Sequence, residues 1–476
     1  MKHWKPILLW MLVLLLTGSA CQLFDQITNP STPEVIPHST YRPETLVPGS
    51  PVVETLTSAI PLETQLAATL TALAPTLSAE PGTPGATSPA PPTPTSAAAL
   101  MLVAYAKEGV VYLWQDGTAR PLTSPGSAVF DVVLSDDGQW LAYTRQVDDL
   151  RQELWAVRTD STARDGNRLM SSADFAAIDP AALAVLPHQV GWVPGTHTLA
   201  FNTYQIFEGP GNIPYDDLHL INADTFERRT PFLAGEGGDF YFAPDGAQVA
   251  FSTPTRVDIS NLDGSNRRSA ALTFEMVLTF SEYMLYPSLV WEADSSAVWA
   301  AIPPHDAMAV PVQPSSVWRI PADGSPAIQT AEFEVAPLIG FELPISADTQ
   351  RVAYLAEIGE QPTAQLELHL LALDGSTDEI IHSAPYMDFL SWSPDGRHYA
   401  VSVGLEQALY LGEVGGSFAP APGAPVGVSS LDWLDMQRFV YVQTGDSGST
   451  LFSGSLSAAP QGIDRVSEGF ITFSVP

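Results

Sequence analysis

The chain has 476 residues, 45% of them hydrophobic, and carries 20 basic against 53 acidic side chains for a formal charge of −33. So acidic a balance disfavours nucleic acid and anionic lipid surfaces as partners, because both need basic patches; it favours solubility, and a generally acidic surface with no specific partner is the preferred reading over cationic partners. A single cysteine excludes an intramolecular disulfide framework.

Lys2 and Lys5 make a positive opening, followed by an unbroken apolar run over residues 7–16 (ILLWMLVLLL). That run is short for a membrane span and has the length of a signal-peptide core. It ends in Thr17-Gly18-Ser19-Ala20-Cys21, small residues before the lone cysteine. These residues resemble the lipobox of bacterial lipoproteins, although leucine is commoner in that family where Gly18 stands. The resemblance implies cleavage after Ala20, an acylated, palmitate-type Cys21 at the new N-terminus, and an exported, extracytoplasmic protein anchored to the membrane. The alternative is an ordinary signal peptide with Cys21 incidental; an unpaired thiol in an exported chain favours lipidation. Each buried CH₂ contributes roughly 0.8 kcal/mol, so two or three acyl chains hold a protein on a membrane.

Residues 1–20 are thus a leader, and residues 21–99 read as a disordered linker rich in Pro, Thr, Ser and Ala. Proline removes donors and fixes φ, so the stretch 81–96 (PGTPGATSPAPPTPTS) is expected to be extended and semi-rigid. Within the linker, residues 63–77 suit a short helix with Leu66, Leu70 and Leu73 along one side, frayed when alone. The linker's plausible role is spacing.

Folded structure is expected over residues 100–476. Residues 100–114 (LMLVAYAKEGVVYLW) read as two strands joined at Glu108-Gly109, with a third after the Asp116-Gly117 turn. A turn motif then recurs: SDDGQWLAY at 135–143, APDGAQVAF at 243–251 and SPDGRHYAV at 393–401, with weaker copies at 193–201, 292–300, 346–354 and 434–442. A short Asp/Gly/Pro turn before alternating apolar residues is a β-hairpin signature, and return at roughly 40–58 residues points to propeller blades. Apolar second strands anchored near Ala104, Ala142, Ala200, Ala250, Trp299, Ala353, Ala400 and Val440 predict about eight four-stranded blades. Seven is the alternative, because the last repeat is irregular and the fifth lacks its glycine. The first unit has no strand in front of it, while residues 469–476 (GFITFSVP) form a strand with no unit behind it. The C-terminal strand is therefore expected to become the innermost strand of the first blade and close the ring.

The Ser393-Pro394-Asp395-Gly396 turn, with Asp263-Gly264 and Asp374-Gly375 later in their repeats, resembles TolB-like, PD40 or WD40-like propellers. The resemblance spans the folded region. It implies an all-β propeller that serves as a binding platform, and it brings no catalytic residues. The Gly-His and Trp-Asp pairs of true WD40 blades are missing.

With strands named A to D outward from the channel, A–B and C–D turns share one face and B–C loops and D–A connections the other. The first face is trim, with Asp137-Gly138, Asp245-Gly246, Asp323-Gly324 and Gly415-Gly416. Long insertions fall on the second, at residues 165–186, 204–217, 274–286 and 303–315. Binding residues concentrate on long loops held by a rigid scaffold. Tyr204, Phe207, Tyr215, Asp216, Asp217, Tyr283, Tyr286, His305 and Asp306 are therefore the candidate binding face. The competing reading is that these loops pack on one another with the aromatics as local core.

Catalytic motifs are not convincing. Gly445-Asp446-Ser447-Gly448 is similar to the nucleophile sequence of trypsin-like proteases, but it falls between strands where such composition is ordinary loop. The chain has no G-x-S-x-G elbow and no H-E-x-x-H pair, and its histidines are scattered. Asp136-Asp137-Gly138 and Asn261-Leu262-Asp263-Gly264 lack the spaced carboxylates of an EF-hand, so Ca²⁺ is unsupported and no cofactor is expected. The reading is a monomeric, non-catalytic, lipid-anchored scaffold for a protein, peptide or glycan. Its alternatives are a propeller-type enzyme on envelope or extracellular glycans, or a purely structural envelope component.

Overall fold

The computed structural model describes residues 101–476 apart from 176, 178, 210–211, 312, 337–342, 360–362, 447 and 467–470. The leader, Cys21 and the linker with its candidate helix lie outside the described residues.

Eight antiparallel sheets follow one another along the chain, each a blade of a closed β-propeller. Their innermost strands are Thr472–Ser474, Val129–Leu134, Ala184–Trp192, Asp239–Phe242, Leu289–Trp291, Met387–Trp392 and Val428–Trp433, with the bridge Ile345↔Val352 in that place in the sixth blade. All eight sequence anchors fall on second strands, among them Ala297–Ile302, in which every residue is buried. Second strands are covered on both faces by neighbouring blades, so they read as apolar runs rather than half-exposed alternations. The core accordingly lies between blades: eight buried clusters form, one at each seam.

The ring closes as the sequence suggests. Thr472–Ser474 pairs with the first strand, Leu102–Lys107, through Ala104↔Ser474, Tyr105↔Phe473 and Ala106↔Thr472. Phe473 is 2% exposed and joins Val103, Tyr105, Val440 and Leu451 at the seam between the last and first blades. Tyr105 and Lys107 of the first blade both donate to Asp464 of the last, at 2.8 and 2.7 Å.

The recurring turn has a mechanical explanation. In the seventh blade Ser393 Oγ donates to Asp395 Oδ1 (2.6 Å) and accepts from His398 N (2.8 Å), while Asp395 Oδ1 also accepts from Arg397 N (3.1 Å). The same three bonds recur in the second blade around Ser135 and Asp137. The fourth position needs left-handed backbone, as at Gly396 (φ 67°). In the fifth and sixth blades Ser295 (φ 61°) and Thr349 (φ 53°) adopt it instead, so those repeats keep the turn without the glycine.

A second repeated device ties blades together. In three blades the tryptophan ending the innermost strand donates its Nε1–H to a backbone carbonyl of the preceding blade: Trp192 to Val133, Trp291 to Tyr241 and Trp392 to Pro344, at 2.9–3.1 Å; Trp433, ending Val428–Trp433, does not. Indole thus supplies apolar area to the seam and satisfies its donor there.

Candidate binding face

The B–C and D–A segments of the third to fifth blades build the most elaborate part of the molecule. In the third blade, Asn212–Pro214 folds back onto Thr198–Ile206, pairing Pro214↔Tyr204 and Ile213↔Gln205. Tyr215 N then donates to Thr203 O (2.9 Å) and Gly235 N to Tyr215 O (2.8 Å), which holds the connection to the fourth blade against this hairpin. Gly238 (φ 153°) completes that connection where a Cβ would lie 2.3 Å from the Ser252 carbonyl oxygen, so only glycine fits.

This packing decides where the candidate residues point. Asp217 accepts from Thr203 N (2.8 Å), Thr203 Oγ1 (2.7 Å) and His219 Nε2 (2.9 Å), so its carboxylate is occupied by its own blade. Tyr286, from the segment entering the fifth blade, donates to Asp216 Oδ1 at 3.0 Å. Burial pushes Asp216 up to about 6, against the Tyr286 hydrogen bond, which lowers it. Burial first and Asp216 second push the Tyr286 hydroxyl above its ordinary range. Tyr204 is pushed up to about 12 by burial. Asp216 and Tyr286 are therefore brought together across two segments, Asp217 is held by Thr203 and His219, Tyr204 lies edge-on to His188, and Tyr215 is buried; these side chains fasten the loops. Phe207, Tyr283, His305 and Asp306 are half-buried. His305 Nδ1 donates to Met276 O at 2.5 Å and His305 O accepts from Leu278 N at 2.8 Å, which pins the 274–286 segment to the fifth-blade loop.

Two groups at this mouth were not among the candidates. His188 sits at a register shift of the third innermost strand, its Nε2 3.5 Å from Oδ1 of Asp239, which is buried and accepts no hydrogen bond. Their separation in sequence gave no signal; only the channel geometry joins them. Elsewhere His197 bridges Asp137 and Asp224 at 3.0 and 2.6 Å on the trim face, clamping the second and third blades.

What faces outward here is a set of large apolar side chains. Val310 is 97% exposed, Phe280 59% and Met308 53%, joined by Leu183, Ile213, Met276 and Met284, and Leu405 is 82% exposed on the seventh-blade turn of the same face. By contrast, the trim face exposes Phe226 and Met436, and outer strands expose Ile328 and Ile380. Aperiodic segments such as FEMVLTFSEYMLY contain both inward tyrosines and outward methionines, so spacing could not separate them.

Among the described residues, no group of three or more His, Cys, Asp and Glu is arranged to hold a metal, and no helix is long and apolar enough to cross a membrane. In the GDSG stretch Gly445 pairs with Gly448, and Ser447 lies outside the described residues. The shallow depressions of about 420 Å³ beside Arg319 and Asp323 and about 240 Å³ beside Glu227 and Arg229 lie on the trim face.

The molecule is thus an eight-bladed β-propeller. No family model matches the sequence, and no curated protein matches it. Solved structures do resemble it. A eukaryotic initiation factor is 11% identical, with a TM-score of 0.47 over 79% of this chain and 98% of that one. The β-propeller domain of the Trilobed protease from Pyrococcus furiosus is 13% identical, with a TM-score of 0.41 over 60% of this chain and 85% of that one. Oligogalacturonate lyase from Vibrio parahaemolyticus is 13% identical, with a TM-score of 0.43 over 75% and 86%.

Proposed function

We propose that the chain is an exported, lipid-anchored binding scaffold of the TolB-like kind, held on a membrane through Cys21 and presenting its loop-rich propeller face to a protein, peptide or glycan. The observation that carries this reading is the asymmetry of the disc. One face is closed by tight Asp-Gly turns, while the other carries strand 212–214 and segments 274–288 and 303–311, fastened together by Tyr286–Asp216 and His305–Met276. Rigidly fastened loops that expose apolar side chains suit recognition, since little ordering entropy remains to be lost. The lipid anchor rests on the leader and its terminal cysteine.

The test compares capture from native membranes by the intact protein and by a Phe280→Ser/Met284→Ser/Met308→Ser variant. A partner retained by the first and lost by the second supports the reading; equal capture refutes it. For the anchor, Cys21→Ala should move the protein from the detergent phase to the aqueous phase, and an unchanged partition refutes lipidation. The alternative, an enzyme acting on glycans, would be favoured over the scaffold by turnover of a glycan panel that one substitution at the channel mouth abolishes.

A further inference from the structure

We infer that the partner of the loop-rich face is a protein segment in which basic side chains are interleaved with large apolar ones, a cationic amphipathic segment. This rests on the reading of that face as the binding surface. Two independent features meet there. The first is the exposed apolar set of Leu183, Ile213, Phe280, Met284, Met308 and Leu405. Unbranched, polarisable methionine adapts to the shape of an apolar partner.

The second feature is charge. Asp149, Glu208, Glu236, Glu275, Glu282 and Glu406 are exposed on B–C and D–A segments of the same face. Three basic groups of this face are paired with carboxylates, and a fourth, half-buried Arg145, leaves one positive charge against six exposed carboxylates. Lys107 binds Asp464, Arg151 binds Asp148 and Arg256 binds Asp258, while Arg145 lies over the rings of Tyr143 and Trp155. The face is therefore apolar and uncompensated in negative charge.

That combination excludes other occupants. The chain's own segment 22–99 carries Asp25, Glu34, Glu44, Glu54, Glu63 and Glu80 against Arg42 alone, so it is repelled. A second copy brings the same negative surface, and anionic lipid or nucleic acid is repelled likewise. A basic amphipathic segment gains from both features: its apolar side chains cover Phe280, Met284 and Met308, and its cations sit over Glu275 and Glu282.

The experiment titrates a fluorescently labelled leucine–lysine amphipathic peptide with the full chain and follows anisotropy. Binding is expected to weaken about tenfold when salt rises from ~0.05 to ~0.5 M. The Glu275→Lys/Glu282→Lys variant should bind about tenfold more weakly and lose most of that salt dependence. Phe280→Ser/Met284→Ser/Met308→Ser should also weaken binding about tenfold with every carboxylate in place. Ile328→Ser/Ile380→Ser, on outer strands, should bind like the parent, and all variants should melt like it.

Any of these results would overturn the inference: equal binding of a leucine–glutamate peptide, parental binding by the serine triple variant (bare charge attraction), uptake of phosphatidylcholine vesicles in place of the peptide, or self-association through these residues. A native partner lost from the triple variant, alongside no peptide binding, would overturn the partner class while leaving the binding face itself intact.

Discussion

Ring closure puts a large load on one side chain. Phe473 is 2% exposed and lies in a strand of only three residues, packed with Ile471 against Val103, Tyr105, Val440 and Leu451. Replacing a buried phenylalanine by alanine costs about 3–5 kcal/mol, from lost transfer energy and the cavity left behind. At the low end of about 2–4 °C per kcal/mol for a large domain, Phe473→Ala should lower Tm by roughly 5–10 °C. Removing residues 471–476 also deletes Ile471 and three ladder pairs. The summed cost, about 5–10 kcal/mol, is comparable with the whole stability of a typical domain. The truncated protein should then lose its single cooperative transition in calorimetry and its near-ultraviolet dichroism. If it melts within about 2 °C of the intact chain, the C-terminal strand does not close the ring.

Other expectations concern single groups. Arg319 grips Glu292 through two 2.7 Å bonds and holds its carboxyl down at about 2, with Ser296 and Trp299 assisting. The lowered folded value means that the stabilisation, roughly 2–3 kcal/mol, is complete above the unfolded value near 4.5 and is lost as pH falls towards 2. Glu292→Gln should thus lower Tm at pH 7, and the difference from the parent should fade by pH 2; a constant difference contradicts the linkage. Asp216 has the opposite sign: its folded value is raised to about 6, so the charged form destabilises the fold at higher pH. Asp216→Asn should raise Tm at pH 8 and give no gain near pH 4, and a loss at pH 8 would contradict burial as the dominant cause. Thr349 occupies a left-handed conformation that a β-branched residue resists, so Thr349→Gly should stabilise the fold by about 1 kcal/mol in urea titration.

The blades were legible because their chemistry is local and repeated. An apolar run behind an Asp-Gly turn is what a strand covered on both sides requires, and all eight anchors from Ala104 to Val440 lie on such strands. The closing strand was legible from an imbalance, a first unit short of one strand and a last segment with one to spare. The fifth and sixth blades were fainter because Ser295 and Thr349 hold a conformation in which glycine is the expected residue. Of the candidate face, the sequence located the loops but not the directions of their side chains. Tyr286 is turned inward by its hydrogen bond to Asp216 and Tyr215 is buried on a backbone-paired segment, whereas Phe280 and Met308 are left outside. No spacing rule applies in aperiodic chain. The pairing of His188 with Asp239 likewise depends on two innermost strands meeting at the channel.

The claim that one face of the disc is the working face is tested most directly by hydrogen exchange on the full chain, free and saturated with the leucine–lysine peptide. Slowed exchange is expected in residues 207–217, 274–288 and 303–311, with the turns at Asp137, Asp245, Asp323 and Asp395 unchanged. Protection gathered at those turns, or spread evenly around the ring, would contradict it.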